Sequence, residues 1–250
     1  MISLNSIKYG NNLFDAFNTL KYNYDFNKEH PNYFHPCGLI CFVGPQGSGK
    51  TLSAVNYVRN LIKYYPKVKV VSNLDLTFLE DDDELYAYFI DADDFFKHKN
   101  GEEGVIFLID EIQLYFNSLQ SKNINIDVIN FISQQRKQRV HIVATSQVFG
   151  RMAKPLREQF DAVILCKKYF NCIERLMLID RDSMDDDAST GTNIQAKVKR
   201  NFWCFHKPNM YEWYDTYKVI NEHEKDFAYG EEREDDVYGL RYSTNSKPSK

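Results

Sequence analysis

Short, wholly apolar runs recur along the chain and predict buried strands: "CGLICFVG", "KVKVVSN", "GVIFLIDE", "VHIVATSQ" and "DAVILC". Helical signals lie between them. Leu52, Val55, Val58, Leu61, Ile62 and Tyr65 recur at helical spacing, and Pro66 ends that helix. "LEDDDELYAYFIDADDFFKHKNG" has acidic N-terminal ends suited to two short helices. Residues 126–137 read as a helix capped by Asp127, and "KPLREQF" as a short one with Pro155 near its start. Strands alternating with helices imply a mostly parallel sheet covered on both faces, the α/β class.

The pattern then changes. "CIERLMLID" and "AKVKRNFWCF" are strand-like, with only the polar loop "RDSMDDDASTGTN" between them. They predict an antiparallel addition at the sheet edge over about residues 170–206. "YEWYDTYKVI" closes a domain that spans residues 37–220. Residues 1–36 are polar and aromatic with weak periodicity, an irregular extension with one short helix ended by Pro31 and Pro36. Residues 221–250 are charged and poor in apolar side chains, so disorder is expected there.

Composition narrows the class. Of 250 residues, 43% are hydrophobic and 26% charged, an ordinary globular balance. Aromatics reach 15%, so large rings are expected to fill much of the core. The net charge of −4 leaves no global nucleic-acid footprint, so any basic surface must be local. Five irregularly spaced cysteines argue against a disulfide framework and for a reducing compartment. Neither a signal peptide nor an apolar run of membrane-spanning length is present. A soluble protein of the cytoplasm is the expectation, or of a virion if the source is viral.

The first candidate chemistry follows the first strand. "GPQGSGKT", residues 44–51, meets the pattern G-x-x-x-x-G-K-[ST]. Its glycines let successive backbone N–H groups converge on an anion, and the helix that follows points its positive end the same way. Gly44, Pro45, Gln46, Gly47, Ser48, Gly49, Lys50 and Thr51 would cradle the phosphates of ATP. Lys50 would reach the terminal phosphates, and the Thr51 hydroxyl would hold Mg²⁺. The position of the loop, after a predicted strand and before a predicted helix, supplies the context this motif needs.

The strand "VIFLIDE" ends in the second half of such a site. Asp110 is the expected Walker B acid for Mg²⁺, and Glu111 is placed to polarise an attacking water. The plainer reading of Glu111 is the exposed start of a helix. "VHIVATSQ" ends in Ser146 and Gln147, where additional-strand ATPases insert a polar sensor between the two Walker strands. Gln147 there would touch the γ-phosphate or the water; its plainer reading is a polar residue leaving a strand.

Charge is also uneven. Arg136, Lys137, Arg139, Arg151, Lys154, Arg157, Lys167 and Lys168 face only Glu158 and Asp161 between residues 136 and 168. That bias suggests a phosphate-facing surface. Residues 80–94 are acidic, and one surface of each sign would suit a head-to-tail ring. Two solvated faces are the bland alternative.

These motifs in order, "GPQGSGKT…AVNYVRNL…VVSNLDL…LIDEIQLYFNS…FISQQRKQRVHIVATSQ…PLREQFDAVI", resemble the zonular occludens toxin-like ATPases of filamentous phages. Those sit with the FtsK–HerA group of DNA-pumping motors and viral packaging ATPases. The resemblance covers residues 38 to about 168. It implies a RecA-like fold, a ring that is commonly hexameric, DNA as the translocated substrate, and an arginine finger from the neighbouring subunit. Arg157 and Arg136 are the matching candidates, and both stay open. Filamentous-phage members continue into a transmembrane helix and an extracytoplasmic domain that this sequence does not show. A soluble motor that packages a genome, docked at a capsid or membrane vertex, is therefore expected ahead of a filament export ATPase. The enzyme-class rival is a thymidine kinase, which resembles "GPQGSGKT" and "DEIQLYF". That family carries a zinc held by paired cysteines, and Cys166 with Cys172 do not form C-x₂-C.

Overall fold

The computed structural model describes residues 13–79, 84–116, 126–180 and 197–215. Among the described residues eight strands form one sheet: β1 (Gly38–Val43), β2 (Lys69–Ser72), β3 (Tyr86–Tyr88), β4 (Val105–Ile109), β5 (Val140–Ser146), β6 (Ala162–Tyr169), β7 (Ile173–Ile179) and β8 (Val198–Phe205). Their order across the sheet is β3-β2-β4-β5-β1-β6-β7-β8. From β3 to β6 in that order the strands pair in parallel, and β7 pairs antiparallel with both β6 and β8. β5 lies between β1 and β4, so the strand before the phosphate-loop motif and the strand ending in Asp110 are separated by one added strand. This is the expected RecA-like arrangement, with its antiparallel edge.

The helices are α1 (Leu13–Glu29), α2 (Lys50–Tyr64), α3 (Asp94–Lys97), α4 (Ile126–Ser133), α5 (Gln135–Gln138) and α6 (Lys154–Arg157). Two apolar layers sandwich the sheet. α2 lays Leu52, Val55 and Val58 on one face, against Phe42, Val70, Ile106 and Val143. The other face packs Phe95, Phe107, Phe116, Phe131 and Phe160 with Ile109, Ile142 and Met152. Large rings do fill the interior: Phe34, Phe42, Phe95, Phe107, Phe116 and Phe160 are fully buried.

Several elements depart from the sequence expectation. "LYAYF" is not helical: Tyr86–Tyr88 adds a sixth parallel strand beside β2. Its aromatics at alternate positions suit a pleated edge, and that preference outweighs the acidic residues around it. In the stretch that follows, a 3₁₀ turn begins at Gly101, and α3 is a single short α-helix. There Asp94 accepts from the N–H groups of Ile90 (2.6 Å) and Asp91 (3.1 Å) and pairs with Lys97 at 2.8 Å. The single helix expected over residues 126–137 is broken into α4 and α5 at Gln134, and Asp127 lies inside its first turn instead of capping it. The N-terminal helix is 17 residues long instead of short and stands with its side chains largely exposed. The segment after it has no regular secondary structure but reaches into the core. Phe34 is fully buried, its ring occupying the space a Cβ on Gly104 (φ +73°) would need. Beyond β8, Met210 and Trp213 turn back onto α2, where the Arg59 guanidinium lies 4.2 Å from the Trp213 ring centroid. The loop 181–196, the end of "YEWYDTYKVI" and the tail 221–250 lie outside the described residues.

One core histidine sets a pH limit on the fold. His141 Nδ1 donates to the Gly38 carbonyl (3.0 Å), and Nε2 accepts from the Tyr57 hydroxyl (3.1 Å). Burial pushes its pKa from 6.5 down to about 4, outweighing the pull of the Asp161 carboxylate. The neutral ring therefore contributes stability that is complete above pH 6.5 and is lost as pH falls toward 4. The total is about 3 kcal/mol for a shift of this size. Urea unfolding across that window should show this acid limb, and His141→Gln should flatten it. An unchanged limb in the variant would assign it to other groups.

Candidate active site

The turn after β1 carries the phosphate-loop motif because its backbone must reverse within a few residues. Gly49 sits in the left-handed region (φ +89°) as the N-cap of α2, and no side chain caps the helix. The first amides of α2 are thus left open toward an anion. Ser48 Oγ is buried and has no hydrogen-bond partner among the described residues. Lys50 is 6% exposed, yet among the described residues its ammonium touches only the Pro45 carbonyl at 3.4 Å and Glu111 Oε1 at 3.8 Å. A buried cation with long contacts, an unsatisfied hydroxyl and an uncapped helix together fit a phosphate chain. A cavity of about 380 Å³ opens beside them, lined by Pro45 to Ser48 on one side and Leu165 to Lys168 of β6 on the other.

Asp110 and Glu111 leave the end of β4 in different directions. Asp110 Oδ1 accepts from the Thr51 hydroxyl (2.8 Å) and the Thr145 hydroxyl (2.6 Å). Burial raises its pKa, against the lowering effect of those two hydrogen bonds. A buried carboxylate next to a threonine hydroxyl is a hard-oxygen donor set, and it fits Mg²⁺. Glu111 has φ 51°, a left-handed conformation that strains a residue with a Cβ. Its N–H donates to Thr145 Oγ1 (2.9 Å), which fixes the turn. Its carboxylate then meets Lys50, accepts from Gln147 Nε2 (3.2 Å) and accepts from Gln113 Nε2. The plainer reading of Glu111 holds in part: it is the N-cap of a turn of 3₁₀ helix, Ile112–Leu114, but its carboxylate is turned to Lys50 and Gln147.

Three further contributors carry no motif of their own. Thr145 links both acids. Asn73, just past β2, pairs its amide with the Asp110 backbone, accepting from its N–H (2.8 Å) and donating to its carbonyl (2.9 Å). Gln113 flanks Glu111 and is buried. The one sequence signal for them is a polar residue inside or just after an apolar run. Ser146, by contrast, turns away and donates to the Val148 carbonyl.

Gly49 also has a neighbour that no motif indicates. A Cβ there would overlap the carboxylate of Glu174 on β7. Glu174 is fully buried, accepts from the Ser53 hydroxyl of α2, and lies 2.8 Å from His206 Nε2. Burial raises its pKa, opposed by Ser53 and His206. The antiparallel edge is thereby fastened to the first turn of α2.

The arginine candidates stand apart. Arg136, on α5, is largely exposed and 3.7 Å from Asp161; Arg157 ends α6 with Nε buried and without a hydrogen-bond partner among the described residues. No hydrogen bond or ion pair among the described residues joins either to the Lys50–Glu111 cluster. The basic run is also divided locally: Arg139 lies 3.5 Å over the Tyr33 ring, and Lys154 pairs with Glu158. All five cysteines are free thiols. No group of three or more His, Cys, Asp or Glu among the described residues is arranged to hold a metal. No described helix is long and apolar enough to cross a membrane.

The sequence pattern of the family described as "ATPase family associated with various cellular activities (AAA)" matches residues 40–168. No curated protein matches the chain. Among solved structures, the chain is similar to the N-terminal domain of zonular occludens toxin from Neisseria meningitidis, with a TM-score of 0.47 and 20% identity over 72% of this chain and 100% of that one. It is similar also to the genome packaging NTPase B204 from Sulfolobus turreted icosahedral virus 2 in complex with AMPPCP, with a TM-score of 0.44 and 14% identity over 54% of this chain and 78% of that one. A third likeness is to Thermomonospora curvata EccC (ATPases 2 and 3) in complex with a signal sequence peptide, with a TM-score of 0.41 and 12% identity over 59% of this chain and 35% of that one.

Proposed function

We propose, from the premise that this chain belongs to the AAA family of ATPases, that it is a motor that hydrolyses ATP to move DNA, as in viral genome packaging. The observation that carries the hydrolytic half is the shared carboxylate of Glu111, flanked by Lys50, Gln113 and Gln147 at the mouth of the phosphate loop. The translocation half rests on the ordered motifs that resemble DNA-pumping ATPases and on the local excess of basic residues.

Each residue then has a task. The loop amides from Gln46 to Thr51 and the Lys50 ammonium hold the β- and γ-phosphates, on which Lys50 can settle once drawn from its long contact with Glu111. Thr51 and Asp110 would hold Mg²⁺, which would neutralise charge on the phosphate oxygens. Glu111 takes a proton from the attacking water, while Gln147 and Gln113 orient its carboxylate. Because Gln147 touches both the general base and the end of β5, it can report whether a terminal phosphate is present. Water, not a nucleoside hydroxyl, is the acceptor this arrangement suits. Arg136 or Arg157 would complete the site of a neighbouring subunit in a ring.

The test is ATP hydrolysis by the purified protein alone, with single-stranded DNA, with duplex DNA, and separately with thymidine. Stimulation by DNA of several-fold or more is expected, and it supports the motor. Phosphorylation of thymidine with no response to DNA would replace this reading with a kinase.

A further inference from the structure

The antiparallel edge has two faces with different surroundings. Side chains alternate along β6, β7 and β8, and the pairing sets Lys168, Glu174 and Cys204 in one row across the three strands, toward α2. The next row, on the opposite face, is Lys167, Arg175 and Trp203. A second row on that face, nearer the hairpin end, is Tyr169, Ile173 and Phe205. Deeper in, the same face continues into the core through Leu165 and Met177.

These two outer rows run past the edge of the core. Trp203 is 56% exposed and Phe205 66% exposed. The rings and cations interleave: Lys167 Nζ is 5.8 Å from the Tyr169 centroid, and Arg175 is 6.0 Å from that of Trp203. Tyr169 and Trp203 are 6.2 Å apart with their planes inclined at 41°. Asn201 Oδ1 accepts from Arg175 Nε (3.0 Å) and so steadies the guanidinium beside the indole. No acidic residue occupies any of these positions, in a chain whose net charge is −4.

We propose that this face of β6–β8 binds single-stranded nucleic acid, with Trp203 and Phe205 stacking on unpaired bases and Lys167 and Arg175 meeting the phosphates. The chemistry favours that partner over others. An acid-free pair of cations complements a polyanion, and exposed rings standing between them give bases a surface to stack on. A duplex keeps its bases stacked and offers nothing to the rings. The inference rests on the nucleic-acid reading above and adds where the strand lies and in which form.

Fluorescence anisotropy with a labelled oligothymidylate, and with a duplex of equal length, tests this without added nucleotide. The unaltered protein is expected to prefer the single strand. Trp203→Ala with Phe205→Ala should weaken single-strand binding by roughly 30-fold or more, with basal ATP hydrolysis retained. Trp203→Phe, which keeps a ring, should restore much of the affinity, and Arg175→Gln should lower the salt dependence by about one counterion. Undiminished single-strand binding in the double variant would overturn this surface and leave the motor reading standing. A protein that binds neither form would overturn both. Equal or tighter binding of the duplex, or loss of self-association in the double variant by light scattering, would instead overturn the proposed occupant, the latter making the face a contact between subunits.

Discussion

Glu111→Gln is expected to lower ATP turnover by about 10²–10⁴-fold while nucleotide affinity stays close to that of the unaltered protein. Glutamine has nearly the same shape, so it can keep the contact with Gln147 and leave the turn after β4 undisturbed. It cannot accept a proton from water. Removing the negative charge also frees Lys50 from its 3.8 Å contact, which favours phosphate binding if it changes it at all. Lys50→Ala provides the contrast: it empties the cation from a buried position and should fail at binding first. Steady-state turnover at saturating ATP, set beside titration with a fluorescent nucleotide, separates the two effects. Near-normal turnover in the Glu111 variant would remove that residue from the chemistry.

The candidate site was legible in the sequence where chemistry fixes residue type and spacing together. A loop that must wrap phosphate needs glycines and a lysine in a set order, and an acid that must meet it ends an apolar strand. That logic reached residues 44–51, Asp110, Glu111 and Gln147, together with the insertion of β5 between β1 and β4. It did not reach Asn73 or Thr145. Their roles are hydrogen bonds to the backbone and carboxylate of β4, and several polar residues at those strand ends would read the same way. Glu174 was hidden for a different reason. A charged residue in "CIERLMLID" reads as the solvent side of an edge strand, but the edge here is turned against α2, so that position is interior. β3 was missed because three residues carry too little pattern to outweigh an acidic neighbourhood.

The buried position of Glu174 carries the second large expectation. Glu174→Ala should destabilise the protein by about 2–5 kcal/mol, since it opens a buried void and leaves the Ser53 hydroxyl and the His206 ring without their partner. For a domain of this size that is a fall in Tm on the order of 10 °C. Glu174→Gln preserves the volume and an acceptor for Ser53, and should lose less. Thermal unfolding followed by circular dichroism reads both. An alanine variant that melts with the unaltered protein would mean that the contact to Ser53 and His206 holds nothing together. Nucleotide affinity should drop in the alanine variant as well, because the carboxylate packs against Gly49.

Glu174 and Arg175 are consecutive on β7, and in a strand consecutive side chains point to opposite faces. One rests on the first turn of α2, and the other stands in the open beside Trp203. The strand between them is a lever one residue thick: a shift of β7 cannot move one side chain and spare the other. Whatever free energy passes across it must be equal in both directions. A load on the outer face that tightens the loop around nucleotide is, by the same amount, a load held more tightly when nucleotide is there, and one that loosens the loop is let go.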